Sequence, residues 1–304
     1  MAELLKGKDV ADALTAKLAA DVAQLREKGV TPMLAILRVG ERPDDLSYER
    51  GAIKRAEAVG IGVKGVTLPA DVTQEELVNN VLSLNRNSSI HGVLMFSPLP
   101  KHLDEKAVRA ALAPEKDVDC LTEGSLGAVF TGSGRGFAPC TAQACIEILD
   151  HYGVDVTGKR AVVVGRSLVI GKPVAQLLIA KNATVTTCHT KTVDMPSVTR
   201  GAEILIVAAG KAGAVTAEYV SPGQVVIDVG INVNAEGKLC GDVDFAAVEP
   251  IVGAITPVPG GVGSVTTCVL IKHVVEAATA STSPASAPSS SAAASSSASP
   301  SRSC

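Results

Sequence analysis

Short runs of Val, Ile and Leu alternate with amphipathic segments in two separate series along this chain. That alternation restricts the fold more than any other feature of the sequence. In the first series, Val10, Leu14, Leu18, Val22 and Leu25 recur at helical spacing, and Gly29 stops the helix. Met33 to Val39 reads as a strand. A helix follows Pro43, runs through Tyr48 towards Val59 and ends before Gly60. Val63 to Leu68 is a second strand, Thr73-Gln74-Glu75-Glu76 is a capping box that opens another helix, and Gly92 to Met95 is a buried strand ending at Pro98-Leu99-Pro100. The second series starts near residue 140. Its strands are Arg160–Val164, Ala183–Cys188, Ile204–Ala208, Val225–Val229 and Gly253–Ile255, with helices over Pro173–Lys181 and Thr267–Ala278. Strands separated by helices pair in parallel, so the expected class is α/β. With 2% aromatic residues and no Trp, the core must be built from Val, Ile, Leu and Ala, as parallel sheets buried on both faces require.

The bulk properties exclude several functions. A net charge of −3 offers no electrostatic attraction to nucleic acid or anionic membrane, and no apolar run approaches a membrane span. Met1 to Lys6 lacks the apolar region of a signal peptide. The seven cysteines form no C-x-x-C pair and are odd in number, which argues against zinc or a disulfide framework and for free thiols in the cytoplasm; no metal site is expected. From Thr279 to Cys304 the chain is nearly all Ser, Ala and Pro, and is expected to be a disordered tail.

Val162 to Pro173 follows the strand–turn–helix logic of dinucleotide binding. Gly165 allows the tight turn after the strand, and Gly171 permits close approach of a phosphate at the helix start. Ser167 stands where a full G-x-G-x-x-G would have its second glycine. The next strand ends in Cys188-His189-Thr190-Lys191 with no acid to take a ribose 2′-hydroxyl. Arg166, Thr190 and Lys191 instead offer donors to a 2′-phosphate, which favours NADP, with NAD still possible. His189 either contributes to this site or bonds locally at the strand end.

The run Thr256-Pro257-Val258-Pro259-Gly260-Gly261-Val262-Gly263-Ser264-Val265-Thr266 closely resembles the PGGVGPMT signature of the methylenetetrahydrofolate dehydrogenase/cyclohydrolase family, with Ser264 and Val265 for Pro and Met. Val164 to Pro173 resembles the family's V-G-R-S-x-x-V-G-x-P. Ser47-Tyr48, Gly92 to Pro100 and Pro114 to Asp119 add to the likeness, which spans about residues 1 to 278. The resemblance implies an N-terminal folate domain, 1–140, facing an NAD(P)-binding Rossmann-like domain, 141–264, across a cleft. A returning helix, 265–278, completes the first domain, and the tail, 279–304, lies beyond it. It implies a homodimer that oxidises 5,10-methylenetetrahydrofolate to the 5,10-methenyl form. In bifunctional relatives the methenyl form is then hydrolysed to 10-formyltetrahydrofolate. It assigns Tyr48 and Asp119 to catalysis, with Phe96, Pro259, Gly260 and Gly261 beside them at the substrate. Gly165, Arg166, Ser167, Gly171, His189, Thr190, Lys191 and Ile231 fall at the cofactor.

Two positions depart from the family pattern. Its Lys four residues after the Tyr is Ala52 here, and its Gln in G-x-L-V-Q-x-P-L-P is Phe96. A helix turns about 100° per residue, so Lys54, six residues on, lies about 120° from Tyr48 unless the register slips at Gly51. Phe96 is either plain core or a wall of the folate pocket. Hydride transfer needs positioning and electrostatics, whereas hydration of the methenyl cation needs water activation and proton shuttling. The expectation is therefore a dehydrogenase with weak or no cyclohydrolase activity. The alternatives are the full bifunctional enzyme, and an inactive folate- or nucleotide-binding protein.

Overall fold

The computed structural model describes residues 1–282. The chain opens with β1 (Glu3–Leu4) and α1 (Gly7–Glu27), followed by β2 (Met33–Val39), α2 (Pro43–Val59), β3 (Gly62–Leu68), α3 (Gln74–Arg86), β4 (Gly92–Met95), α4 (Glu105–Ala111) and α5 (Glu123–Thr131). Strands β2, β3 and β4 form a parallel sheet in the order β3-β2-β4. Successive side chains of a strand point to opposite faces, and here both faces are buried. Ala35, Leu37, Val93 and Met95 pack with Leu77, Val81 and Leu84 of α3, while Leu34, Ile36 and Leu94 look into the main core. Local chemistry sets the helix ends. The side chains of Thr73, Asp104 and Thr122 each accept an N–H of the first turn of α3, α4 and α5. Gly60 closes α2 in the left-handed region at φ 82°.

The second half contains α6 (Cys140–His151), β5 (Arg160–Val164), α7 (Gly171–Ala180), β6 (Thr184–Cys188), α8 (Met195–Arg200), β7 (Ile204–Val207) and β8 (Val225–Asp228). It continues through β9 (Asn232–Val233), β10 (Leu239–Cys240), α9 (Phe245–Val248), β11 (Ala254–Ile255) and α10 (Thr266–Ser281). The main sheet is parallel throughout, in the order β1-β11-β8-β7-β5-β6, and β9 and β10 make a separate antiparallel hairpin. Ala161 and Val163 of β5 face the same core as Leu34 and Ile36, and Val162 and Val164 face the opposite layer. The α/β class with parallel sheets is thus observed. Among the described residues no helix is long and apolar enough to cross a membrane.

Two features differ from expectation. Glu3 and Leu4 pair with Ala254 and Ile255, so the chain begins at the edge of the second sheet and only then crosses to the first. Two residues, one of them charged, leave no periodicity that could announce this strand. Helix α10 also runs to Ser281, past the expected end at 278 and into the stretch assigned to the tail. There Thr279 Oγ1 donates to Val275 O and Ser281 Oγ to Ala278 O, so hydroxyls carry the last turn where apolar contacts give out. The rest of the expected tail lies outside the described residues.

Helix α10 buries Val269, Leu270, Ile271, His273, Val274 and Val275 and packs on α1, α2 and α6. It also meets β4, where Gly92 makes the approach possible. A Cβ at Gly92 would sit 2.6 Å from Val118 Cγ1 and 3.0 Å from Val274 Cγ2, both on stiff β-branched side chains. Gly92→Ala should therefore cost about 1–3 kcal/mol by overpacking. Urea unfolding of the pair of proteins measures it, and unchanged stability would show that this seam has slack.

Candidate active site

A cavity of about 520 Å³ opens between the C-terminal ends of the two sheets. Tyr48 reaches it from α2, Phe96 from the end of β4, and Asp119 from the loop that follows a buried bridge between Val93 and Asp117. Leu168 and Val169, exposed on the turn after β5, form the far wall. The Tyr48 and Phe96 rings meet edge to face, with centroids 6.0 Å apart and planes at 86°. Burial, reinforced by the neighbouring acid Asp119, pushes the Tyr48 phenol well above its ordinary range, so it stays protonated and can donate a hydrogen bond.

Asp119 lies near the first residue of α6, and the thiol and N–H of Cys140 favour its charged form. Burial still outweighs these contacts, and the nearby Asp117 adds to it, so the carboxyl rises to about 6. The loop beneath it is tight. Asp117, fully buried, accepts the N–H groups of Leu121 and Thr122, each at 2.8 Å. Cys120 sits in the left-handed region at φ 58°, a backbone conformation that favours glycine. Burial drives the Cys120 thiol far up, so it is no nucleophile.

Ala52 lies one turn beyond Tyr48 and is completely buried. Helix α2 runs unbroken through Gly51, so no register slip brings Lys54 round; Lys54 is exposed and does not line the cavity. Arg55 turns away and donates to Thr15 Oγ1 at 3.0 Å. Cations do reach the cavity from residues the sequence reading passed over. Arg42 donates to Pro98 O at 2.8 Å, and Arg109 donates to Ser97 Oγ at 3.0 Å while pairing with Glu105. Their only sequence signals are ordinary helix-end and i,i+4 charge patterns.

Pro259, Gly260 and Gly261 do not line this cavity. Their loop packs against the start of α1, where Gly7 N–H donates to Gly260 O at 2.8 Å and Ser264 N–H donates to Gly261 O at 3.0 Å. The cofactor candidates cluster at the ends of β5, β6 and β8. Gly165 has φ 130°, and a Cβ there would lie 2.2 Å from Ala208 O; one at Gly171 would lie 2.3 Å from Gly165 O. The bare backbone between them opens onto the N-terminus of α7, a cradle that fits a dinucleotide phosphate. Ser167 Oγ accepts from Ile170 N at 3.1 Å and so shapes the turn itself. Arg166, Thr190 and Lys191 are exposed at the ends of neighbouring strands. His189 Nδ1 accepts from Lys191 N at 3.1 Å. Ile231 is exposed beyond β8. Asp228 is structural: its carboxylate accepts the N–H groups of Gly230, Asp242 and Val243.

A dinucleotide cradle and an acid-bearing aromatic pocket on facing α/β units define a nicotinamide-dependent enzyme class with a small-molecule substrate. Sequence comparison narrows this. Residues 5–119 match the tetrahydrofolate dehydrogenase/cyclohydrolase catalytic domain, and residues 139–282 match the NAD(P)-binding domain of the same family. The chain belongs to the tetrahydrofolate dehydrogenase/cyclohydrolase family. It is 55% identical over 279 residues to the bifunctional protein FolD of Carboxydothermus hydrogenoformans, covering 91% of this chain and 97% of that one. It is 50% identical to the FolD of Clostridioides difficile, over 90% and 96% of the two chains. Among solved structures, the bifunctional FolD of Campylobacter jejuni superposes with a TM-score of 0.88 at 36% identity over 92% and 99% of the two chains. The Trypanosoma brucei dehydrogenase-cyclohydrolase, solved with NADP and an inhibitor, gives 0.83 at 39% identity over 92% and 98%.

The raised carboxyl of Asp119 has a stability consequence. The native state keeps this proton up to about pH 6, whereas the unfolded state loses it near 3.8, so between these values the native state binds more protons and stability falls as pH rises. Asp119→Asn removes that dependence. Measured by urea unfolding, the variant should gain stability relative to the parent from pH 4 to pH 6 and level off above. A flat difference would mean that Asp119 is not desolvated.

Proposed function

We propose that this chain oxidises 5,10-methylenetetrahydrofolate to the 5,10-methenyl form with NADP, and that the same cleft hydrates the methenyl form to 10-formyltetrahydrofolate. The Carboxydothermus relative is named as bifunctional and the Campylobacter one as a methylenetetrahydrofolate dehydrogenase/cyclohydrolase, which favours this bifunctional alternative over the dehydrogenase-only expectation. The observation that carries the reading is the convergence of Tyr48, Phe96 and Asp119 on one cavity whose far wall is the Gly165–Gly171 turn. Bound NADP supplies the hydride acceptor. Asp119, as carboxylate, holds the amide-like edge and amino group of the pterin. Tyr48, a protonated donor, orients the one-carbon unit, and Phe96 packs the ring system. Pro259, Gly260 and Gly261 act in this reading through the backbone they fix against α1. Arg166, Thr190 and Lys191 meet the 2′-phosphate, Gly165, Ser167 and Gly171 frame the pyrophosphate, and His189 and Ile231 border the cofactor. The proposal includes a cytoplasmic location, supported by the reduced cysteines, and a homodimer, supported by family resemblance.

A second reading rests on one local observation. The positions of the family's Lys and Gln are the buried Ala52 and the aromatic Phe96, and Lys54 is outside the cavity. A positioned proton shuttle contributes about 10²–10⁴-fold, so on this reading methenyl hydrolysis is slower than in the relatives by about that factor. One spectrophotometric assay decides. Methenyl accumulation during NADP reduction supports the second reading, and methenyl loss as fast as formation supports the bifunctional one. Cofactor binding without turnover overturns both. Under the second reading, Ala52→Lys combined with Phe96→Gln should raise hydrolysis without abolishing oxidation.

Cofactor choice has its own test. Arg166→Ala should weaken NADP about ten- to a hundredfold, the equivalent of losing a charge-assisted contact, and leave NAD nearly unchanged. Equal losses for both would mean that Arg166 does not read the 2′-phosphate.

A further inference from the structure

His273 is a buried histidine that the mechanism above does not use. It lies on α10, is 3% exposed, and its ring stacks on Phe137 with centroids 4.8 Å apart and planes at 26°. Its Nδ1 is 2.9 Å from the carbonyl oxygen of Val118, the residue before Asp119. A carbonyl only accepts, so Nδ1 carries the proton and the ring is the neutral Nδ1–H tautomer. Burial supports that state by pulling the imidazole down to about 4.

The same carbonyl lies 3.4 Å from Cys140 Sγ, and Sγ is 3.8 Å from Nδ1. The thiol and the imidazole N–H therefore converge on one carbonyl oxygen, whose two lone pairs can accept both, and the imidazole N–H makes the shorter contact. The other side of the loop is pinned by Asp117, which takes the N–H groups of Leu121 and Thr122. Val118 is fully buried against Gly92, so the loop has no slack on that face.

We propose that His273 is a positioning residue: through its Nδ1–H and the Val118 carbonyl, helix α10 sets where the Asp119 carboxylate meets the substrate. The inference rests on the folate reading of the cavity. Asp119 holds the pterin equally before and during hydride loss, so misplacing it removes uniform binding and appears in KM rather than kcat.

The test compares His273→Asn with His273→Gln in the full-length protein. Asn places an N–H where Nδ1 is, and Gln places it where Nε2 is; both are polar and of similar bulk. His273→Asn should keep the KM for methylenetetrahydrofolate within about threefold of the parent, and His273→Gln should raise it about tenfold with kcat little changed. The Kd for NADPH, read by the change in its nicotinamide fluorescence, should be the same for all three proteins. Equal KM values for the two variants, or a loss shared with cofactor affinity, would reduce His273 to core packing. An Asn variant that does not fold overturns the proposal as well, because a single N–H at that position is all it requires. A parent protein that binds NADP and fails to oxidise methylenetetrahydrofolate would instead sink the folate reading, and the two failures are told apart by the parent's own turnover.

Discussion

The burial of α10 is the interaction on which the rest of the structure depends. The helix is last in the described chain, yet it fills the space between α1, α2 and α6 and touches the strands that carry the substrate-side residues. Leu270, Ile271 and Val274 have no exposed surface, and each contributes about 1.5–3 kcal/mol by leaving water. Their burial joins the core of the first sheet to that of the second, so residues from Leu5 to Ala278 share one apolar cluster. The two halves are thereby held at a separation that leaves a cavity rather than a closed seam.

Burial also explains which acids hold structure and which faces chemistry. Asp117, Asp228 and Asp242 are buried, and their oxygens are taken up by backbone N–H groups; Asp242 alone receives those of Gly210 and Lys211 and the Asn232 amide. A carboxylate satisfied in this way staples loops and has little capacity left for a ligand. Asp119 has the partners that Cys140 supplies and a side that opens to the cavity. The difference lies in hydrogen-bond saturation, since all four acids are Asp and only Asp228 stands in a strand, at its end.

Apolar side chains line much of the cavity, among them Leu94, Met95, Phe96, Leu121 and Leu126. Ala52 is packed into the main cluster, and the Tyr48 and Phe96 rings meet edge to face at the cavity.

Much of this was legible in the sequence because it depends on local spacing. The β/α alternation, the caps at Thr73 and Gly60, the Gly165 turn and the Tyr48-to-Ala52 step are settled within a few residues of one another. The wording of the Gly165 and Pro259 runs marked the family. Three things were decided only by tertiary structure. Strand β1 joins the second sheet through Glu3 and Leu4, because pairing with Ala254 and Ile255 needs residues some 250 positions away. Pro259–Gly261 lie against α1 and not on the cavity, although their glycines read as a ligand loop, because Gly7 takes the Gly260 carbonyl. His273 reads as one polar residue on an apolar helix face, and only packing shows its N–H under the Val118 carbonyl. Sequence spacing determines which backbone torsions and faces are available. Which distant acceptor a buried donor finds is determined by how the sheets and α10 close on each other.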